Sequence, residues 1–187
     1  MERANVKSLT NKIMIVALAG LLAIAGCSRS PVGDTNTSVE PQLLQRSASS
    51  SSVLMTPANL YCEQVISSEQ GGRLELMDVI LEIPPHAVPN DTTFSISIPD
   101  INVFYNEFGT DGLVFDEPVK VTMSYRDADL SMVDESTIRI GFYNEVTGQF
   151  DDVICSVDFV NKTVTGYLNH FSAYGLISDL IDRGSLR

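Results

Sequence analysis

Tryptophan is absent from the 187 residues, and there are only 2 histidines and 3 cysteines. A zinc centre built from those ligands is therefore not expected, and no metal or cofactor is assigned. Basic residues are also scarce: 12 Lys plus Arg stand against 24 Asp plus Glu, a formal net charge of −12. Nucleic acid is excluded as a partner class, because phosphate binding needs a basic footprint. Only one apolar run occurs, and it is short, which argues against a polytopic membrane protein. The sequence has no G-x-S-x-G, G-x-G-x-x-G, P-loop or H-E-x-x-H, so the common hydrolase, nucleotide and zinc-protease signatures are missing. What is present is a chain 44% hydrophobic and 19% charged. That composition supports one modest folded domain with extensions.

Arg3, Lys7 and Lys12 form a basic start, followed by an almost unbroken apolar run from Ile13 to Ala25. About 13 residues make roughly 20 Å of helix, short of the ~30 Å hydrocarbon core, so residues 1–26 read as a signal peptide. The run ends in Ile24-Ala25-Gly26-Cys27. These residues resemble a bacterial lipobox. The resemblance implies diacylation of the Cys27 thiol, cleavage after Gly26 and a membrane tether through lipid. Ala23-Ile24-Ala25 also satisfies an ordinary secretory cleavage pattern. Ser28 follows the cysteine, so the aspartate of an inner-membrane retention signal is missing, and the outer membrane is expected if the cell is Gram-negative. Loss of Arg3, Lys7, Lys12 and Glu2 leaves 9 basic and 23 acidic residues, a balance of −14. Such a surface repels anionic headgroups, so the lipid must do the holding.

Residues 27–58 are rich in Ser, Thr, Pro and Gln and include Ser47-Ala-Ser-Ser-Ser-Ser52, which reads as a flexible tether. From 59 to 178 the dominant period is two. Phe94-Ser-Ile96-Ser-Ile98, Val119-Lys-Val121-Thr-Met123-Ser-Tyr125 and Ile138-Arg-Ile140-Gly-Phe142 each place apolar residues on one face. Gly71-Gly72, Pro84-Pro85, Pro89-Asn90-Asp91, Thr147-Gly148 and Asn161-Lys162 punctuate them. Eight or nine short strands in such a length predict an all-β fold, an antiparallel β-sandwich. Residues 179–187 read as a C-terminal tail.

The order of segments carries a second resemblance. Val79-Ile-Leu-Glu-Ile-Pro-Pro-His-Ala-Val-Pro89, Leu113-Val-Phe-Asp-Glu-Pro-Val119 and Asn169-His-Phe-Ser-Ala-Tyr-Gly175 resemble the ZU-five domain, the β-sandwich of ankyrins and netrin receptors. The similarity spans about residues 68–177. It implies a scaffold or protein-interaction role, although no motif matches the spectrin-binding surface of ankyrins. His86 stands where the related pattern has glycine, which sets up a test: if that position needs a positive φ, His86 is strained. Pro118 is expected at the first ladder position of a strand.

Three functional readings follow. The first is a non-enzymatic surface or periplasmic lipoprotein of the bacterial cell envelope, whose sandwich is an interaction or structural module for an envelope protein or ligand not identified by the sequence. The second rests on resemblance: His170-Phe171-Ser172 is similar to the self-cleaving tripeptide of some ZU-five domains, in which the bond before Ser breaks. Carried over, Ser172 is the nucleophile, Phe171 supplies the scissile carbonyl and His170 is the general base. In a regular strand His170 and Ser172 stand about 6.6 Å apart, so such chemistry requires a kinked backbone. The third, a carbohydrate-binding module, needs Tyr61, Tyr105 and Phe108 to form an aromatic platform. Glu63, Glu75 and Glu82 read as solvated strand faces, and Asp127, Asp129, Asp151 and Asp152 as turn residues rather than calcium ligands. With Cys27 acylated, Cys62 and Cys155 remain as a candidate disulfide closing a 93-residue loop, provided their Cα atoms lie within about 7 Å.

Overall fold

A computed structural model of the chain describes residues 41–48 and 60–181. Residues 1–26, read above as a signal peptide, Cys27 and most of the segment read as a tether lie outside the described residues. Two antiparallel sheets face each other. The first runs β2 (Tyr61–Ile66), β5 (Thr92–Ser97), β6 (Tyr105–Gly109), β12 (Ala173–Ser178), β8 (Arg139–Asn144) and β9 (Gln149–Asp152), with β1 (Gln42–Leu43) also paired to β12. The second runs β10 (Cys155–Asp158), β11 (Thr163–His170), β7 (Val114–Ser124), β4 (Val79–Ile83) and β3 (Gly72–Leu76). Helical structure among the described residues is confined to the 3-10 turn Glu135–Thr137 and the 3-10 residue Leu60. The fold is an all-β sandwich.

The period-two segments produce this arrangement directly. In β7, Val119, Val121 and Met123 point inward and are buried, while the residues between them are half exposed. In β5, Phe94 and Ile96 do the same. Packed between the sheets, Phe94, Phe108, Phe115 and Phe171 touch one another, with Phe171 at 5.1 Å from Phe94 and 4.7 Å from Phe115, both edge to face. Edge-to-face pairing sets positive ring edges against negative faces. Strand β4 stops at Ile83 because Pro84 and Pro85 have no N–H for the ladder. Pro118 differs from expectation: it lies inside β7, opposite the register shift between Leu168 and His170 of β11, where ladder bonding is already interrupted.

Two sequence boundaries shift. Residues 41–47 are not tether but part of the sandwich. Leu44 is buried, its N–H donates to the Leu176 carbonyl at 2.8 Å, and its own carbonyl accepts from Phe104 at 3.0 Å. Arg46 lies buried over the Phe104 ring, 4.0 Å from its centroid, and binds both carboxylate oxygens of Asp78 at 2.9 and 3.0 Å. A single short stretch, Leu43-Leu44 among glutamines, is too brief to announce a strand by periodicity. At the other end, the 179–187 boundary is too early. Asp134 N–H donates to the Asp179 carbonyl and Ile181 N–H to the Met132 carbonyl, which ties residues 179–181 to the domain.

His86 has φ of 64° and sits exposed after the two prolines, its N–H bonded to the Ser68 carbonyl at 2.7 Å. An L-residue there costs about 1–2 kcal/mol, whereas glycine loses about 0.5–1 kcal/mol more chain entropy. His86→Gly is accordingly expected to hold or raise stability, by up to about 1 kcal/mol. His86→Val, β-branched at positive φ, should lower it in the same denaturant titration.

Candidate functional site at the crossing between the sheets

Strand β11 belongs to one sheet and β12 to the other, so the chain changes sheets at Phe171 and Ser172. His170-Phe171-Ser172 is therefore a corner between strands and not a stretch of regular strand. Phe171 fills the core at this corner with no exposure. Its N–H donates to the Leu113 carbonyl at 2.8 Å, its carbonyl accepts from Gly112 N–H at 3.0 Å, and the Ser172 carbonyl accepts from Phe108 N–H at 3.0 Å. Gly112 presents its N–H with φ of 73°, the left-handed conformation glycine adopts at no steric cost. Three backbone hydrogen bonds thus hold the corner on both sides of the Phe171–Ser172 bond.

The His170 ring stands edge to face on Phe142, with centroids 5.1 Å apart. Its Nδ1 lies 3.2 Å from the Tyr174 hydroxyl, which also donates to the His170 carbonyl at 3.0 Å. Burial pushes the Tyr174 hydroxyl above the usual phenol range, so it stays protonated at every working pH. No hydrogen bond joins His170 to Ser172: the tripeptide brings base and nucleophile into one corner without pairing them. Tyr174 is the residue that sequence reasoning missed. Its position four residues after His170 gave no strand signal, since the contact exists only because the chain turns between them. Beside this corner runs a cleft of about 280 Å³ bordered by Phe142, Asp151, Asp152, Tyr167, Asn169 and His170.

The other candidates fall elsewhere. Cys62 and Cys155 are unpaired, which corrects the disulfide. Cys62 lies on β2 with its thiol 3.7 Å from the Glu75 carbonyl of β3, whereas Cys155 lies on β10 with its sulfur 3.4 Å from Ile140 N of β8. They occupy opposite lateral edges, and β3 and β10 are four strand spacings apart, about 19 Å at ~4.8 Å each. A bond allows about 7 Å between Cα atoms. Burial also raises the Cys62 thiol above its ordinary range.

The proposed aromatic platform does not assemble. Phe108 points into the core, Tyr61 lies exposed on β2 with its hydroxyl on Glu63 at 2.6 Å, and Tyr105 packs instead on Tyr143 and Phe150. Those three rings meet at 81°, 79° and 59°, so they present no flat surface for a sugar face. Glu75 and Glu82 pair with Arg73 and Lys120 on the open sheet face. Asp129 accepts Ser131 N–H at 3.0 Å, a turn bond that holds its carboxyl below the usual range. Asp152 binds Arg139 Nε at 2.7 Å, and Asp151 accepts from the Asn144 amide at 2.9 Å. Among the described residues no group of three or more His, Cys, Asp or Glu is placed to hold a metal ion.

Comparison of the chain with protein-family models and with curated proteins finds no match. What the fold and corner define is a class, an antiparallel β-sandwich with a clamped inter-sheet crossing, and no family is assigned beyond it.

Proposed function

We propose that the protein is a lipid-anchored, non-enzymatic module of a bacterial cell envelope whose ZU-five-like sandwich serves protein interaction or structure. The observation that carries this reading is Ile24-Ala25-Gly26-Cys27 at the end of the basic and apolar leader. Among the described residues β10 pairs only with β11 and so forms a sheet edge, which supports the interaction role. Ile154 is 95% exposed and Val160 90%, with Phe159 and Tyr167 half exposed nearby in sequence and ladder. Cys27→Ser is expected to release the protein from the membrane fraction or leave its leader uncleaved. A variant that is cleaved and stays fully membrane-bound overturns the anchor.

A second reading, single-turnover cleavage between Phe171 and Ser172, is favoured by one observation: the carbonyl that must become an oxyanion already accepts the Gly112 N–H. In this reading the Ser172 hydroxyl gives its proton to His170, directly or through one water, and its oxygen attacks the Phe171 carbonyl carbon. The C–N bond breaks, the Ser172 amine takes the proton, and water hydrolyses the ester to a Phe171 carboxylate and a free Ser172 hydroxyl. The 16 residues from Ser172 onward stay on the sandwich through β12, which pairs with β1, β6 and β8. Mass spectrometry of denatured wild-type chain should show two fragments and Ser172→Ala one intact chain. An intact wild-type chain after prolonged incubation at neutral pH sinks this reading.

A further inference from the structure

We infer that Tyr174 is a positioning residue that holds His170 in one tautomer, with the proton on Nδ1 and the lone pair on Nε2. The inference follows from counting protons. A phenol has one, and the His170 carbonyl, 3.0 Å away, can only accept it. The same oxygen lies 3.2 Å from Nδ1; with its proton placed on the shorter contact, the carbonyl, it offers only lone pairs there, and Nδ1 is assigned as the donor. In the neutral ring that leaves Nε2 unprotonated. The ring cannot easily swap its nitrogens, because Phe142 stands against it edge to face and Tyr174 is 2% exposed behind it.

One hydroxyl thus clamps both backbone and side chain of the residue preceding Phe171. It ties the backbone of the corner to the ring, so any movement of one displaces the other. The catalytic consequence rests on the second reading above. There the base must accept a proton, and only a ring with a free Nε2 can do so while Nδ1 stays engaged. The division of labour is that of a triad, in which a third group orients the imidazole and selects its tautomer. Tyr174 does not touch the reacting atoms.

The test is nitrogen-15 NMR of histidine-labelled full chain in detergent micelles, with His86→Gly assigning the only other ring. Wild type and Ser172→Ala should both show His170 with a protonated Nδ1 and an unprotonated Nε2. Tyr174→Phe should retain the folded amide spectrum, lose that tautomer and slow fragment formation at least about tenfold. An Nε2-protonated ring in wild type, or an unchanged ring in Tyr174→Phe, overturns the inference. A wild-type chain that shows the tautomer, loses it in Tyr174→Phe and never cleaves upholds the lock and overturns self-cleavage alone.

Discussion

Phe171→Ala is expected to destabilise the sandwich by about 3–5 kcal/mol, the range for deleting a fully buried aromatic side chain. Phe171 is 0% exposed and meets Phe94, Phe108 and Phe115 where the chain crosses between sheets. The surrounding rings cannot close the space cheaply, because each is already held on its own strand, in β5, β6 and β7. Against a typical total of about 5–15 kcal/mol, that loss takes a large share of the stability. Denaturant titration of the purified chain should show the midpoint fall with little change in slope. Phe171→Leu, which keeps most of the apolar volume, should lose clearly less. Equal losses for the two substitutions would mean that retained bulk contributes nothing and that the ring contacts carry the whole effect, against this expectation.

Arg46→Met should cost a comparable amount, about 3–5 kcal/mol at neutral pH, because it leaves a buried carboxylate without its partner. Arg46 and Asp78 have side chains only 3% and 14% exposed. Burial raises the Asp78 carboxyl above its usual range, the Arg46 charge and hydrogen bonds pull it back, and the Asp127 charge pushes weakly upward. The sign follows from linkage. A carboxyl whose folded pKa lies above its unfolded one stabilises most below the unfolded value, and that contribution is lost as pH rises through the folded value. Removing Arg46 deletes the downward pull and widens this window upward. The deficit of Arg46→Met relative to wild type should therefore shrink as pH falls towards the ordinary aspartate range. Arg46→Met/Asp78→Leu should recover part of the loss at neutral pH, since no buried charge remains. A deficit that grows on acidification would contradict the pairing.

Both residues illustrate what periodicity can and cannot carry. The alternation in Phe94–Ile98, Val119–Tyr125 and Ile138–Phe142 announced β5, β7 and β8, because a half-buried strand must repeat every two residues. Pro84 announced the end of β4, and the turn pairs at 147–148 and 161–162 fall at the β8–β9 and β10–β11 connections. His86 announced its own strain, since the residue type was unusual for the place it occupied. Arg46 gave no such sign. A charged residue in a Ser- and Gln-rich stretch looks solvated until Asp78, 32 positions away, and Phe104 close over it.

By itself, then, the sequence determined an all-β sandwich, an acidic net charge, and the strand positions that line the core. These are local consequences of residue type, period and charge. Only the tertiary structure decided which strands share a sheet, that Cys62 and Cys155 lie at opposite edges, and that residues 41–47 close a gap beside β12. It alone turned His170-Phe171-Ser172 into a crossing corner with Tyr174 behind it. Such pairings depend on contacts between residues far apart in the chain or on a turn between near ones, and neither leaves a periodic signature in the order of amino acids.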